Sequence, residues 1–452
     1  MQLIRPSPSL SVFAGIQTLL FERLPAAQLD RWWQQTRRLI RREPVLPFSQ
    51  LVCALVYHGL MASGTLQTHV EELLGQHLSG SALSQRRQRL PWQLFERILS
   101  VALRPRANPS QHPQAFYHGL RLVGLDGTGF AAANTPQIVR ALGKAASRRF
   151  RAAFARVKLT ALVELGLHNP LAAAIGRDGE SEYALAERLL GSLPPGSLLL
   201  ADRLYGLPAF VWGLLARCRA VGGEFLVRVR SNLQTQLVQR LADGSSLVSA
   251  QSARRKGQPR QTIVVREIQG RVRTRAGRWV AVRLWTSLLD VRRHPARELL
   301  ALYAQRWEME LTVEEWKVTL QGGDRLASYT VETAAQEIAA LLLAHAVLVE
   351  VRCAVSERAE IEVLRISFGT TLRLVQALWS MLEIGEGLHS PAQEQALVER
   401  TLKAIAKAAI AKRRSRSCPR AVRQTMTDWP RLIRRRENHG EFQYQIIPHG
   451  KS

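Results

Sequence analysis

Cysteine is scarce in this chain, and the few that occur lie far apart. Cys53, Cys218, Cys353 and Cys418 are the only four in 452 residues. No two of them have the spacing of a zinc-ligand pair, and a chain of this length does not depend on a disulfide scaffold. We therefore expect core or incidental thiols in a reducing compartment.

Long apolar runs are also lacking. The longest, "IAALLLAHAVLV", covers residues 338–349 and is bounded by Glu337 and Glu350. It is too short to span a bilayer. The opening "MQLIRPSPSLSVFAG" lacks the apolar core and cleavage site of a signal peptide. Together these features predict a cytoplasmic protein.

Acidic residues are outnumbered by basic ones. Lys and Arg total 63 against 36 Asp and Glu, which gives a net charge of +27, while a hydrophobic content of 46 % fits a folded chain. Such an excess attracts polyanions, of which nucleic acid is the commonest, although a merely basic or ribosome-associated protein is the alternative. The basic stretches 403–423 and 431–436 add to this charge near the C-terminus.

Residues 1–115 have apolar residues at helical spacing, with Pro or Gly in the gaps, and predict a helical N-terminal DNA-binding domain. Within it, "LQTHVEELLGQHLSGSALSQRRQRL" is typical of a helix, a turn and a second helix capped by Ser81. Arg86, Arg87 and Arg89 on the second helix resemble a basic recognition helix that contacts DNA. A solvated basic helix explains them equally well.

From about residue 120 the pattern changes to an α/β order of three strands, helix, strand, helix and strand. Asp126 ends the apolar strand "LVGLD", and Asp202 ends the apolar strand "SLLLAD". One such Asp is usually a turn former or a helix cap. Two of them, each closing a buried strand, indicate a site at the carboxyl edge of a sheet. Residues 231–284 predict a β-rich insertion after these strands.

The stretch "YAQRWEMELTVEEWK" at 303–317 predicts a helix, since it contains helix formers and no Gly or Pro. At about 100° per residue, one stripe roughly 60° wide holds four side chains. They are Tyr303, Arg306, Glu310 and Lys317.

Other glutamates of this stretch fall elsewhere on the same helical projection. Glu308 and Glu315 face another side and are expected to be surface charges, whereas Glu314 lies near the stripe. A solvated helix with ordinary ion pairs would also explain the stripe by itself.

Three carboxylates, Asp126, Asp202 and Glu310, repel one another unless cations neutralise them. Mg²⁺ or Mn²⁺, with oxygen ligands, meets that need, and a pair of such ions promotes phosphodiester cleavage. Arg, Lys and Tyr on the stripe can bind phosphate. The pattern therefore favours a two-metal site that cuts DNA.

The spacing of Tyr303, Arg306, Glu310 and Lys317 matches the Y-(2)-R-(3)-E-(6)-K signature of bacterial transposases of the insertion sequence four family. The flanks "LDGTGF", "LLLADRLYG" and "TSLLDVRRHPARELLALYAQRWEMEL" resemble that family too, and the likeness covers roughly residues 45–350. The resemblance implies a ribonuclease H-like core whose D, D, E triad corresponds to Asp126, Asp202 and Glu310. These residues would be catalytic and would bind two Mg²⁺ or Mn²⁺ ions.

Further properties follow from the resemblance. It implies cut-and-paste transposition at terminal inverted repeats, strand transfer to target double-stranded DNA, and a homodimer in the synaptic complex. Tyr303, Arg306 and Lys317 would contact DNA. A Trp of the insertion stacks on a flipped base in some members, so Trp285 and Trp279 are candidates, with a buried strand aromatic as the alternative. The location would be bacterial cytoplasm, at the nucleoid.

The predicted organisation has three domains: a helical domain at 1–115, a catalytic domain at 116–350 with its insertion, and a basic helical region at 351–452. The Arg-rich link "ASRRFRAAFAR" at 146–156 matches no motif, and we expect it to contact the DNA backbone. Two alternatives stay open. One is a catalytically silent or repurposed DNA-binding relative, and the other is a different nuclease of ribonuclease H-like fold, which the Tyr-Arg-Lys stripe disfavours.

Overall fold

A computed structural model describes most of the chain. The residues described are 25–36, 45–61, 63–145, 152–253, 260–273, 279–385, 387–411, 416–417, 437–438 and 443–448. They belong to two compact units. The first consists of Met1–Pro194 and Trp307–Ala409, and the second of Pro195–Arg306 and Ile410–Ser452. The three predicted domains have other boundaries, and those boundaries stay a prediction.

Several helices begin at a side chain that caps the first turn. Thr65, Ser79, Ser181 and Ser390 each accept a hydrogen bond from the backbone N–H three residues later. The cap of the basic N-terminal helix is therefore Ser79, and the prediction of Ser81 is wrong by two residues. In chain order the α-helices are α1 (Ala26–Thr36), α2 (Phe48–Leu60), α3 (Leu66–Leu74), α4 (Gly80–Gln88), α5 (Trp92–Ala102), α6 (Pro136–Leu142), α7 (Glu182–Leu189), α8 (Pro208–Val221), α9 (Ala296–Leu302), α10 (Trp307–Glu314), α11 (Val331–Ala359), α12 (Phe368–Ile384) and α13 (Pro391–Lys407).

Short 3₁₀ turns and one π-helical segment accompany these helices. The 3₁₀ turns are Pro113–Ala115, Leu190–Ser192, Tyr303–Arg306 and Val363–Arg365, and the π-helical segment is Glu315–Leu320. The strands are β1 (Phe116–Tyr117), β2 (Leu120–Ala131), β3 (Arg156–Glu164), β4 (Asn169–Ile175), β5 (Ser197–Ala201), β6 (Glu224–Arg228), β7 (Gln236–Arg240), β8 (Ser246–Gln251), β9 (Thr262–Arg273), β10 (Trp279–Thr286), β11 (Arg416–Ser417), β12 (Glu437–Asn438) and β13 (Gln443–Ile446).

The first unit combines an antiparallel sheet with most of the helices. Its strand order is β4–β3–β2, and β1 pairs with the start of β2. The register of β2 with β3 continues from Val123↔Glu164 to Ala131↔Arg156. Before β1 the described residues form helices and turns without a strand, which agrees with the predicted helical character of this region. Its extent as a domain stays a prediction.

Helix α11 lies in the core of the first unit. It has 29 residues, with buried side chains on all sides over most of its length. Its length and mean hydropathy would also suit a membrane span, but 94 % of its apolar stretch is buried inside the protein. This is the pattern of a core helix. The helix is longer than the apolar run at both ends, since it begins after the Thr330 capping box and continues to Ala359.

The second unit has the strand order β5–β6–β10–β9–β8–β7, with β13 also pairing with β9. Strands β5 and β6 are parallel and are connected through α8, while the other pairs are antiparallel. Strands β7 to β10 show that this stretch is β-rich, as predicted. Its role as an insertion into a catalytic core stays a prediction. Strand β13 corrects the expectation of a wholly helical C-terminal region, since its backbone pairs with β9. The mixed α/β class is confirmed in both units.

Candidate active site

Asp126 lies in the middle of β2, not at its end. The strand continues through "GTGFA" to Ala131, so the predicted turn after Asp126 is wrong. The physical reason is pairing, because β3 supplies a partner for every residue of this stretch. The Asp126 side chain is half-buried, and its Oδ1 accepts a hydrogen bond from the N–H of Gly127 at 2.9 Å.

The glycines of β2 show from which face of this strand the Asp126 side chain projects. A Cβ on Gly124 would lie 3.5 Å from the Cβ of Met309 in α10, and a Cβ on Gly127 would collide with Glu182 in α7. Alternate residues of a strand face the same side. Asp126 therefore projects from the face on which α10 packs, and α10 also carries Glu310.

The helical segment that carries the signature residues is not one regular α-helix. Its conformation changes from α to 3₁₀ at Tyr303–Arg306, returns to α at Trp307–Glu314 and becomes π at Glu315–Leu320. A 3₁₀ turn has fewer residues than an α turn and a π turn has more. The projection at 100° per residue therefore does not hold across the segment. The segment has no single regular helix along which the four side chains would form the predicted stripe.

Lys317 is bound to the strand that carries Asp126. Its Nζ donates a hydrogen bond to the carbonyl of Gly129 at 2.7 Å and lies 5.2 Å from the ring centroid of Phe130. Burial, together with the positive charge of Arg156, lowers the pKa of Lys317. The ammonium has three donors, so this one bond does not exhaust its capacity to bind an anion.

The loop after the π-helical segment is bound to the same strand. The N–H of Ala131 donates to the carbonyl of Asp324 at 2.6 Å, and Leu326 donates to the carbonyl of Ala131 at 2.8 Å. Arg156 forms an ion pair with Asp324 at 2.8 Å. Of the Arg-rich link, residues 146–151 lie outside the described residues, and Arg156 is engaged within the protein.

In the second unit, Asp202 directly follows β5, as predicted. Its Oδ1 accepts a hydrogen bond from the N–H of Leu204 at 2.6 Å, which fixes the turn. Tyr303 donates its hydroxyl proton to the carbonyl of Ala201, the residue before Asp202, at 3.2 Å. A Cβ on Gly206 would lie 2.2 Å from the carbonyl oxygen of Arg228, so only glycine fits at that position.

The predicted metal ligands lie in different units, Asp126 and Glu310 in the first and Asp202 in the second. Within the described residues, no three or more His, Cys, Asp or Glu side chains are grouped closely enough to hold a metal ion. By donor chemistry the three half-buried carboxylates suit a hard divalent cation. Their joint role stays a prediction.

Two other glutamates of the segment do not behave as predicted. Glu315 is only 8 % exposed and contacts two buried histidines, so its assignment as a surface charge is wrong. Glu308 is half-buried and bonded to His168 at 2.8 Å. A signal was present in the sequence, since His345 interrupts the longest apolar run and a buried polar group requires a partner.

The basic helix α4 uses part of its charge inside the protein. The Arg87 guanidinium donates to Gln336 Oε1 at 3.2 Å and to the carbonyl of Thr333 at 3.1 Å, both on α11. Arg87 therefore binds α11 in this structure, and its role as a DNA contact stays a prediction. Burial lowers the pKa of half-buried Arg86 to about 10, whereas Arg89 is exposed. Helix, turn and helix are confirmed, and Arg89, directly after α4, is the exposed arginine of the three.

The two candidate tryptophans differ in exposure. Trp285 is fully buried and donates its Nε1–H to Glu267 Oε2 at 2.8 Å, so it presents no face for a base and its assignment as a DNA contact is corrected. Trp279 is 40 % exposed at the start of β10. Cys53, Cys218 and Cys353 are buried free thiols, as expected, and Cys418 lies outside the described residues.

The sequence profile of the family described as "Transposase DDE domain" matches residues 117–347, more than half of the chain. The chain therefore belongs to this family of DNA transposases, whose members cleave DNA and transfer its strands.

Two bacterial relatives narrow the class. "Transposase InsG for insertion sequence element IS4" of Escherichia coli (strain K12) is 28 % identical over 339 residues, which cover 73 % of this chain and 75 % of the relative. "Putative transposase InsZ" of the same organism is 26 % identical over 206 residues, covering 45 % of this chain and 66 % of the relative. The resemblance to the insertion sequence four family is confirmed.

A solved structure is also similar to this chain, at a lower sequence identity. The cryo-EM structure of the piggyBac transposase synaptic complex with hairpin DNA has a TM-score of 0.43 and 11 % identity. The match covers 90 % of this chain and 87 % of that chain. A score of that size does not define the fold.

Proposed function

We propose that this transposase cuts and pastes an insertion sequence by metal-dependent phosphodiester hydrolysis at the element ends, followed by strand transfer. One observation carries the proposal: α10 packs on the face of β2 from which Asp126 projects, and α10 also carries Glu310. A ribonuclease H-like core, as the family resemblance implies, would use these two carboxylates together with Asp202.

Asp126, Asp202 and Glu310 would hold two Mg²⁺ or Mn²⁺ ions. Such ions, when bound, activate a water or a 3′-hydroxyl and stabilise the leaving oxygen of a phosphodiester. The carboxylates would hold their charge because the cations offset their mutual repulsion. Hydrogen bonds from Gly127 and Leu204 would orient the two aspartates for this task.

Tyr303, Arg306 and Lys317 would position the scissile phosphate. The Tyr303 hydroxyl is bound to the carbonyl of Ala201, the residue before Asp202. The Lys317 ammonium is bound to the carbonyl of Gly129, three residues after Asp126. These bonds would bring both polar groups close to the carboxylates. Arg306 would bind a phosphate in bidentate fashion. These contacts would hold the reacting phosphorus in line with the nucleophile.

Double-stranded DNA, as terminal inverted repeats and target, would be the partner. A cavity of about 770 Å³ in the second unit supports this, because its lining is rich in arginine. Arg203, the residue after Asp202, is one of the lining residues. Exposed Arg89, directly after α4, would contact the DNA backbone. The synaptic complex would contain a homodimer, and the protein would act in the cytoplasm at the nucleoid. The arginines that line the cavity are Arg203, Arg228, Arg230 and Arg283.

Carboxylate substitutions test the metal assignment. We expect Asp126→Asn, Asp202→Asn and Glu310→Gln each to abolish cleavage of a labelled end duplex in Mg²⁺ while leaving binding of that duplex largely intact. The matched controls are Asp178→Asn and Glu314→Gln, because both residues are exposed carboxylates of the first unit. Full cleavage by Glu310→Gln would remove Glu310 from the metal site, and loss of cleavage in the controls would show a general effect of charge.

Salt dependence tests the phosphate contacts. Each lost contact lowers the slope of log K against log salt by about 0.9. We expect Arg306→Ala and Lys317→Ala to weaken end binding and to reduce that slope by about one unit each. An unchanged slope for either variant would exclude that residue from backbone contact.

A further inference from the structure

A cluster of buried charges lies beside the segment that carries Glu310, and the proposed chemistry does not use it. It consists of His168 and His345, both fully buried, Arg352 at 1 % exposure, Glu315 at 8 %, and the half-buried Glu308. Glu308 is in α10, Glu315 begins the π-helical segment, and His345 and Arg352 are in α11. All five belong to the first unit.

The backbone of His168 is unusual. It lies in the turn between β3 and β4 with a φ of 58°, the left-handed region that non-glycine residues rarely adopt. Such a conformation costs about 1–2 kcal/mol and persists only where surrounding contacts hold it. At this position the imidazole ring contacts two glutamates.

Both ring nitrogens of His168 face carboxylate oxygens. Nε2 lies 2.8 Å from Glu308 Oε2, and Nδ1 lies 3.0 Å from Glu315 Oε1. A neutral imidazole donates from one nitrogen only, so its other lone pair would face a carboxylate oxygen. The doubly protonated ring is the form that suits both neighbours.

The remaining groups balance the charges of the cluster. The guanidinium of Arg352 lies 3.6 Å from Glu315 Oε1, and His345 Nε2 lies 3.0 Å from Glu315 Oε2. Burial lowers the pKa of His345, so His345 is the neutral donor of the pair. Burial alone would raise the pKa of Glu315, but His168 and Arg352 hold it well below its usual value. Two anions then face two cations.

The position of the two glutamates gives the cluster its role. Glu308 and Glu315 lie on either side of Glu310 in sequence, one within α10 and one at the change from α to π geometry. From this geometry we propose that His168 is a positioning residue, which forms a hydrogen bond with Glu308 through Nε2 and an ion pair with Glu315 through Nδ1. These two contacts fix the register in which α10 presents Glu310. The inference rests on the proposed role of Glu310 in cleavage.

The first experiment compares two buried histidines. His168→Asn keeps a residue that tolerates left-handed backbone but loses the charged link. His112→Asn is the matched control, since His112 is 2 % exposed in the same unit and contacts the backbone of Asn108 instead of the segment. We expect cleavage at saturating DNA to fall about ten- to a hundredfold in His168→Asn only, with end affinity unchanged in both.

The outcomes separate positioning from folding. Thermal unfolding of each variant is measured under the cleavage conditions, and rates are compared well below both melting temperatures. If cleavage falls with melting temperature alike in the two variants, His168 is merely structural and the inference is overturned. A loss of DNA affinity with an unchanged cleavage rate would overturn the inference as well.

A second pair covers the case in which His168→Asn does not fold. Glu308→Gln removes the charge that faces His168 at a partly solvated site, and exposed Glu314→Gln is its control on the same helix. We expect slower cleavage in Glu308→Gln alone, and equal rates in the two variants would overturn the inference. If Glu310→Gln itself cleaves like the wild type, the proposed function fails instead, so the two failures are distinguishable.

Discussion

Replacing Trp285 by Phe tests whether this residue packs the core or contacts DNA. The indole is fully buried and donates to Glu267, which is itself only 1 % exposed. Losing a hydrogen bond to a charged acceptor costs about 1.5–3 kcal/mol. Shrinking the ring leaves a void of roughly 40 Å³, which adds about 1 kcal/mol. Arg283 still pairs with Glu267 at 2.8 Å, so the carboxylate does not become an isolated charge.

The expected loss is therefore about 3 kcal/mol, or a fall of roughly 5–15 °C in the melting temperature of the second unit. Differential scanning calorimetry measures it on the whole chain. The control is Trp279→Phe, since Trp279 is 40 % exposed and lies 5.9 Å below the guanidinium of Arg273. Its loss should stay under about 1 kcal/mol. If Trp285→Phe melts with the wild type and instead changes end processing, the reasoning from burial is refuted.

Three further predictions follow from close contacts. Arg87→Ala should lower the free energy of unfolding by about 2–3 kcal/mol and leave the salt slope of DNA binding unchanged. Arg89→Ala should reduce that salt slope and leave the free energy of unfolding unchanged, as measured in the same denaturation and binding titrations. Gly206→Ala should lower the melting temperature of the second unit, whereas Gly191→Ala should leave that of the first unit unchanged, because a Cβ on Gly191 meets nothing within 4 Å; equal shifts in melting temperature would refute the close approach at Gly206. Burial alone would lower the pKa of His168, but Glu315 and Glu308 raise it above 6.5. The stability of the wild type over His168→Asn should thus be full below about pH 6.5 and shrink as the pH rises through the raised pKa, and a difference in denaturation midpoints that stays constant with pH would contradict this.

Local patterns were enough to place Asp202. Its strand is short, aliphatic and buried at every position, so the polar residue that follows marks the strand end. The same logic failed for Asp126 because its strand includes Gly and Thr, which read as a turn. Pairing with β3 extends that strand to Ala131, and pairing is a long-range contact that one segment does not reveal.

Burial of individual charged and aromatic residues was the least predictable feature. Glu315, Arg87 and Trp285 were each assigned by their place in a local pattern, and each is bound to a residue distant in sequence. The helical projection failed for a related reason, since it assumed one geometry through 303–317. The residue types of the signature therefore support the candidate site, whereas their angular positions on a regular helix do not.

The buried cluster balances its own charges. Glu308 and Glu315 bring two carboxylates into the segment, and His168 and Arg352 face them from the turn after β3 and from α11. The segment is thus anchored by ion pairs without adding net charge to the core of the first unit. Removing one partner of a buried ion pair costs about 3–5 kcal/mol. A neutral residue at position 168 would therefore leave one carboxylate uncompensated and loosen the anchoring of the segment.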